Sequence, residues 1–144
     1  MMTNELCQVK VEKVMSSKLV TVNRNTTLEE IESIMNTYKI HHVPVVEMGN
    51  VLVGLISQRD ILLLRDWSSQ LGHRAAIVRN DALLKSTLAE DVMKTRIMNV
   101  SKDDSLVYCA DIFRENMFQA LPVVEDGIII GIITTYDLIN VAYR

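Results

Sequence analysis

VEKVMSSKLVTVNRNTTLEEIESIMNTYKIHHVPVVE, from Val11 to Glu47, is written a second time further along the chain. The second copy is AEDVMKTRIMNVSKDDSLVYCADIFRENMFQALPVVE, from Ala89 to Glu125. Met15 aligns with Met93, Leu28 with Leu106 and Pro44 with Pro122, all at an offset of 78. Beyond these strings the offset drops to 77, pairing Gly54 with Gly131 and Asp60 with Asp137. The one-residue deletion falls between PVVE and the glycines, at Met48-Gly49-Asn50 against Asp126-Gly127. Surface turns absorb deletions more readily than the elements they join. A repeat of this kind decides the architecture before any local reading does.

Each copy has the same internal order. A leading segment containing Val-Met runs into a short extended stretch, LVTV or IMNV. A helix follows. In the first copy Thr27 and Glu30 have the spacing of a capping box, and Leu28, Ile31, Met35 and Tyr38 recur at helical spacing. In the second copy Leu106, Ala110, Phe113 and Met117 recur in the same way. A strand comes next, HVPVVE or ALPVVE, then a glycine-containing turn. The next strand is a nearly continuous aliphatic run, VLVGLIS or IIIGIIT, which predicts burial on both faces. A second helix starts near Asp60 or Asp137.

The order β-α-β-β-α, found twice, predicts an α/β (α+β) fold. One copy of about 50 residues buries too little surface to stand alone, whereas two packed about a pseudo-twofold axis bury enough. The predicted organisation is an N-terminal extension at 1–10, a first repeat at 11–65, a linker at 66–88 and a second repeat at 89–144. The linker prolongs the helix begun at Asp60, breaks near Gly72 and holds a further helix around Ala75 to Leu84.

Composition narrows the classes. The 144 residues are 49% hydrophobic and 23% charged, which excludes disorder, collagen and coiled coil. The aliphatic run Ile128-Ile129-Ile130 is far below the roughly 20 apolar residues a membrane span needs. MMTNELCQVKVEK lacks the apolar stretch of a secretory signal, so a cytoplasmic location is expected. Cys7 and Cys109 make neither a metal cluster nor a disulfide framework. The net charge of −3 and the 5% aromatic content argue against a nucleic-acid partner. Of the eight methionines, positions such as Met35 and Met117 read as core filling. Neither a nucleophile elbow nor a phosphate-binding P-loop occurs, and Asp103-Asp104 reads as helix capping, so no catalytic residue and no metal ligand is assigned.

The series V-M, T-V, h-P-V-V and G-h-h-S/T-x-x-D (h aliphatic), found twice from about Val11 to Val141, resembles a tandem pair of CBS domains, named after cystathionine beta-synthase. The chain is similar to the stand-alone pairs. The resemblance implies a regulatory, non-enzymatic module that binds an adenosine-containing compound in clefts between the repeats. AMP, ADP and ATP lead that set, with S-adenosylmethionine and NAD also carrying the required ribose diol. It further implies a homodimer and a regulated partner protein of unknown identity.

Site residues follow from the same resemblance. Asp60 and Asp137 would accept from the ribose hydroxyls, with Ser57 and Thr134 adding a hydroxyl each; an ionised carboxylate is acceptor-only and suits a diol. The same spacing is also a plain capping box worth about 1 kcal/mol, and the two readings are compatible. His41 and His42 stand where similar pairs carry basic side chains facing phosphate. The second copy has Gln119-Ala120 there, so the clefts differ and only one is suited to a phosphate tail. Two adjacent histidines equally fit a half-buried strand start, and they make a poor metal site because they point to opposite faces. Ser16-Ser17 and Lys94-Thr95 follow the paired methionines. The resemblance brings Ser16 to Thr134 and Asp137, and Lys94 or Thr95 to Ser57 and Asp60; the alternative is an ordinary polar turn. Arg59 beside Asp60 could meet a phosphate, whereas Arg65, Arg74 and Arg79 read as a solvated helix face. Val14, Val43, Ile56, Val92, Leu121 and Ile133 would sandwich an adenine, although each is first a core residue. The rival to a ligand sensor is a ligand-free dimerisation or interaction module whose aspartates only cap helices.

Overall fold

The computed structural model describes residues 7–69, 82–116 and 118–143. Gly72, Arg74, Ala75, Arg79 and Met117 therefore lie outside the described residues; the backbone at 82–86 is helical. The elements run in the order α1 (Leu28–Tyr38), β1 (His42–Glu47), β2 (Val51–Ser57), α2 (Gln58–Ser69), α3 (Ala89–Val92), α4 (Leu106–Asn116), β3 (Ala120–Glu125), β4 (Ile128–Thr134) and α5 (Thr135–Ala142). A short 3-10 turn at Val11–Lys13 precedes them. The fold is mixed α/β.

The chain forms two compact units, and they divide it differently from the sequence repeats. One comprises Met1–Leu19, Gly49–Leu52 and Ile97–Arg144 and carries Asp137. The other comprises Val20–Met48 and Val53–Arg96 and carries Asp60. Each leading Val-Met segment thus belongs to the unit built mainly from the opposite repeat. Val9 and Lys10, read as an extension, are part of the Asp137 unit: Val9 O accepts from Leu106 N at 3.1 Å, and Lys10 bridges Ser105.

In the Asp137 unit β3 and β4 pair antiparallel, with Leu121 opposite Ile133 and a bulge between Val123 and Val124. Their two-residue turn, Asp126-Gly127, has φ of 52° and 81°. Two positive φ values are what a tight hairpin of this twist requires. The core gathers Val11, Val100, Leu106, Cys109, Ile112, Phe113, Leu121, Val123 and Ile133. In the Asp60 unit β1 and β2 are hydrogen-bonded neighbours, and Val22 bridges Val45 in parallel. The core there gathers Val22, Leu28, Ile31, Met35, Val43, Val45, Ile56, Ile61, Leu84 and Ala89.

Thr27 caps α1 as its spacing predicts, accepting from Glu30 N at 3.3 Å. Three local expectations need correction. Tyr38 does not join Leu28, Ile31 and Met35 in the core but is 59% exposed, because α1 ends there and Lys39 turns the chain with φ of 54°. The buried face of α4 is Leu106, Cys109, Ile112 and Phe113, with Ala110 only half-buried. Its cap is Ser105, whose Oγ accepts from Tyr108 N at 3.2 Å, whereas Asp104 accepts from Ser101 N at 2.7 Å in the preceding turn. Finally, the aliphatic strands are not buried on both faces. In β4 Ile129, Gly131 and Ile133 are buried while Ile130 and Ile132 are half-exposed, the period-two pattern of a sheet with one dry side.

Candidate functional site

Both S/T-x-x-D motifs form complete capping boxes. Ser57 N donates to Asp60 Oδ2 at 2.9 Å, and Asp60 N donates to Ser57 Oγ at 3.2 Å. Thr134 N donates to Asp137 Oδ2 at 2.8 Å, and Asp137 N donates to Thr134 Oγ1 at 3.3 Å. The cap engages one carboxylate oxygen. An ionised carboxylate has capacity for several hydrogen bonds, so Oδ1 of each aspartate retains acceptor capacity beyond the cap.

The leading segments are tied to the strand that precedes each aspartate. Lys94 and Leu55 exchange both backbone hydrogen bonds at 3.0 Å, and Ser16 and Ile132 do so at 2.9 and 3.0 Å. Two glycines permit this approach. A Cβ on Gly54 would lie 2.7 Å from Met93 Cγ, and one on Gly131 would lie 2.9 Å from Met15 Cγ and 3.1 Å from the Ser16 carbonyl. A glycine inside a strand often marks such a close backbone approach. This signal stood in the sequence beside the paired methionines.

Within the Asp60 unit, Lys94 Nζ lies 3.9 Å from Asp60 Oδ1; the Asp60 side chain is 16% exposed and that of Lys94 67%. Thr95 and Arg59 are exposed, and neither makes an ion pair or side-chain hydrogen bond with another described residue. His41 is exposed, and its carbonyl accepts from Gln58 N at 2.7 Å. His42 opens β1. Burial chiefly, then the neighbouring His41, pushes its imidazole down to about 4; Lys94 acts the same way and Asp60 opposes. His42 is therefore uncharged at neutral pH and supplies no standing positive charge.

Within the Asp137 unit, Ser16 occupies the position that Lys94 has beside Asp60. Gln119 takes the place of His41, its carbonyl accepting from Thr135 N at 3.0 Å, and Ala120 that of His42. Tyr136 replaces Arg59 and is 69% exposed. Among the described residues no cation pairs with Asp137.

The six aliphatic residues separate into two groups. Val43, Ile56, Leu121 and Ile133 have no accessible surface, each a strand residue gathered into its unit's core. Val92 and Val14, on the leading segments, are only partly buried against the respective cores. A flat ring can meet these two without opening a core; the other four are core residues of the strands.

Two features missed from sequence lie elsewhere. A groove of about 310 Å³ between α1 and α2 is lined by Glu32, Met35, Asn36, Gln58, Ile61 and Leu62. It contains none of the residues selected above, and Arg65 closes on Glu32 beside it with Nε to Oε2 at 3.0 Å. Cys109 is a core residue whose thiol is pushed up to about 11 by burial and by Asp104. Among the described residues no three His, Cys, Asp or Glu side chains are placed to hold a metal. No helix of the described residues is long and apolar enough to cross a membrane.

Comparison with known proteins agrees with this arrangement. The CBS domain family profile matches residues 11–65 and again 89–144. A CBS domain-containing protein of Dictyostelium discoideum is 31% identical over 140 residues, covering 95% of this chain and 93% of its own. Among solved structures, CBSX2 in complex with AMP is 26% identical with a TM-score of 0.74, covering 93% of this chain and 96% of that one. The CBS domain pair of protein MJ0100, solved with 5′-methylthioadenosine and S-adenosyl-L-methionine, has a TM-score of 0.74 at 22% identity, covering 92% and 94%. This chain belongs to the CBS domain family and carries the domain twice.

Proposed function

We propose that the protein is a regulatory module that senses an adenosine-containing compound through Asp60 and Asp137. The observation that carries this reading is that no hydrogen bond from a described residue reaches Oδ1 of either capping carboxylate. Each spends Oδ2 on its helix and keeps Oδ1 for a donor, and a ribose diol offers two. Hydrogen bonds to a charged group contribute about 1.5–3 kcal/mol. That suffices to orient a ligand whose ring lies against Val92 or Val14. The AMP found with CBSX2 and the adenosyl compounds found with MJ0100 support the same ligand class.

The ligand set is AMP, ADP or ATP, with S-adenosylmethionine and NAD as further candidates. The signal passes to a partner protein because the ligand's affinity differs between two arrangements of the module, and a ligand shifts an equilibrium only by that difference. The protein acts without catalysis of its own, as a homodimer, in the cytoplasm. The domain boundaries proposed for it are 11–65 and 89–144.

The complete capping boxes favour a second reading, a ligand-free interaction module in which both aspartates only stabilise helices. Thermal unfolding against millimolar AMP, ADP, ATP, S-adenosylmethionine and NAD separates the two. A ligand at 100 times its dissociation constant stabilises by about 2.7 kcal/mol, a shift of several degrees. A shift with one of the compounds supports the sensor; none with any supports the interaction module.

A further inference from the structure

The two aspartates sit in matching backbone frames with unlike surroundings. Leu55 lies five residues before Asp60, and Ile132 five before Asp137. Their reciprocal partners, Lys94 and Ser16, therefore hold the same position relative to each carboxylate. Lys94 brings an ammonium to 3.9 Å from Asp60 Oδ1, while Ser16 brings a hydroxyl to the other frame. Arg59 against Tyr136 repeats the contrast one residue before each aspartate. Asp60 thus has the Lys94 ammonium beside it and an arginine as its chain neighbour, whereas Asp137 has a tyrosine as its neighbour and a carboxylate that no described cation pairs.

The Lys94–Asp60 pair does not consume the ammonium. The separation is at the outer limit of an ion pair, and 67% of the lysine side chain is in water. Exposed pairs of this kind contribute little. A compact ammonium on a flexible four-carbon stem can leave such a partner for a phosphate. Ser16, 2.9 Å from Ile132 O through its backbone N, is also exposed, so a longer side chain there would extend into solvent without disturbing the bridge.

We propose that Lys94 sorts ligands by charge: the Asp60 site takes an adenosine compound bearing a 5′-phosphate, and the Asp137 site takes one without an anionic tail. This rests on the adenosine-sensing reading above. In the Asp137 site the carboxylate, paired by no cation among the described residues, repels a phosphate and suits an uncharged nucleoside or a cationic adenosyl group. A single side chain at the end of each leading segment sets the difference.

Calorimetric titration of the full chain with AMP and with adenosine tests it, using the wild type, Lys94→Ser, Ser16→Lys, Asp60→Asn and Asp137→Asn. Lys94→Ser weakens AMP about tenfold, the worth of one charge-assisted hydrogen bond, and changes adenosine less than about twofold. Ser16→Lys raises AMP affinity at the Asp137 site by a similar factor, and Asp137→Asn removes that gain. Raising salt weakens AMP in the wild type more than in Lys94→Ser. Equal losses of AMP and adenosine in Lys94→Ser, or no loss of either, overturn the sorting while leaving adenosine sensing intact. AMP binding that survives both aspartate substitutions, or no binding of either compound, overturns the site and the sorting with it.

Discussion

Gly54→Ala probes the joint on which the Asp60 site is built, the counterpart of Gly131 in the Asp137 unit. Carbon atoms pack at about 3.5–4.0 Å. A methyl at Gly54 would stand 2.7 Å from Met93 Cγ and 2.9 Å from Met93 Cβ. The end of a methionine can swing aside, but its Cβ cannot move unless the backbone does. That backbone is held one residue on, where Lys94 and Leu55 exchange hydrogen bonds at 3.0 Å. The methyl must therefore either lift the leading segment or bend the strand, and such overpacking costs about 1–3 kcal/mol. Thermal and urea unfolding should show a fall in Tm of about 3–10 °C for a chain of this size. A double-mutant cycle with Met93→Gly, which removes Cβ as well, isolates the cause. Because no side-chain atom at 93 then meets the new methyl, the double mutant should be more stable than the sum of the single losses by about 0.5–2 kcal/mol. Additivity within about 0.5 kcal/mol would refute the packing of Met93 over Gly54.

The other expectations concern the caps, the histidine and the core. Asp60→Ala removes the acceptor of Ser57 N and should cost about 1 kcal/mol, whereas Asp60→Asn keeps an oxygen there and should cost less than half of that; urea midpoints distinguish them. His42 is held at about 4, below its ordinary 6.5, so the unfolded chain binds the extra proton between those values. Stability should therefore fall as pH drops from 6.5 to 4, by up to about 3 kcal/mol from this group, and His42→Gln should flatten that part of the urea-stability profile. An unchanged slope in His42→Gln would show that the imidazole titrates normally. Leu106→Ala, at a side chain with no exposed surface, should cost about 2–5 kcal/mol by the same unfolding assay.

The repeat made the order of elements legible, since two copies of one pattern remove most local ambiguity. The hairpin turns were equally readable, because the one-residue deletion falls where Asp126-Gly127 replaces a longer turn. What stayed hidden depends on distance in space. The face of α4 could not be read from Ala110 and Phe113 alone, because Cys109 joins a core that also draws on the distant Val11 and Leu121. The aliphatic strands looked buried on both sides, since composition does not say which face is left uncovered. At the sites, the aspartate motifs were visible as spacing. The charge of His42 was not, because it follows from burial and from His41 and Lys94. Nor did spacing distinguish Val92 and Val14, which keep some surface, from Val43, Ile56, Leu121 and Ile133, which keep none.

The central claim is that each aspartate caps a helix with one oxygen and keeps the other for a ribose diol. Its most direct test is AMP titration of the wild type, Asp60→Asn and Asp137→Asn by calorimetry, with the urea midpoint of each variant measured alongside. An asparagine preserves the cap but offers an amide where the diol needs an acceptor. The account predicts stabilities from the midpoints within about 0.5 kcal/mol of wild type and an AMP affinity at least about tenfold weaker in Asp60→Asn. AMP affinity equal to wild type in both variants, with the fold intact, would contradict it.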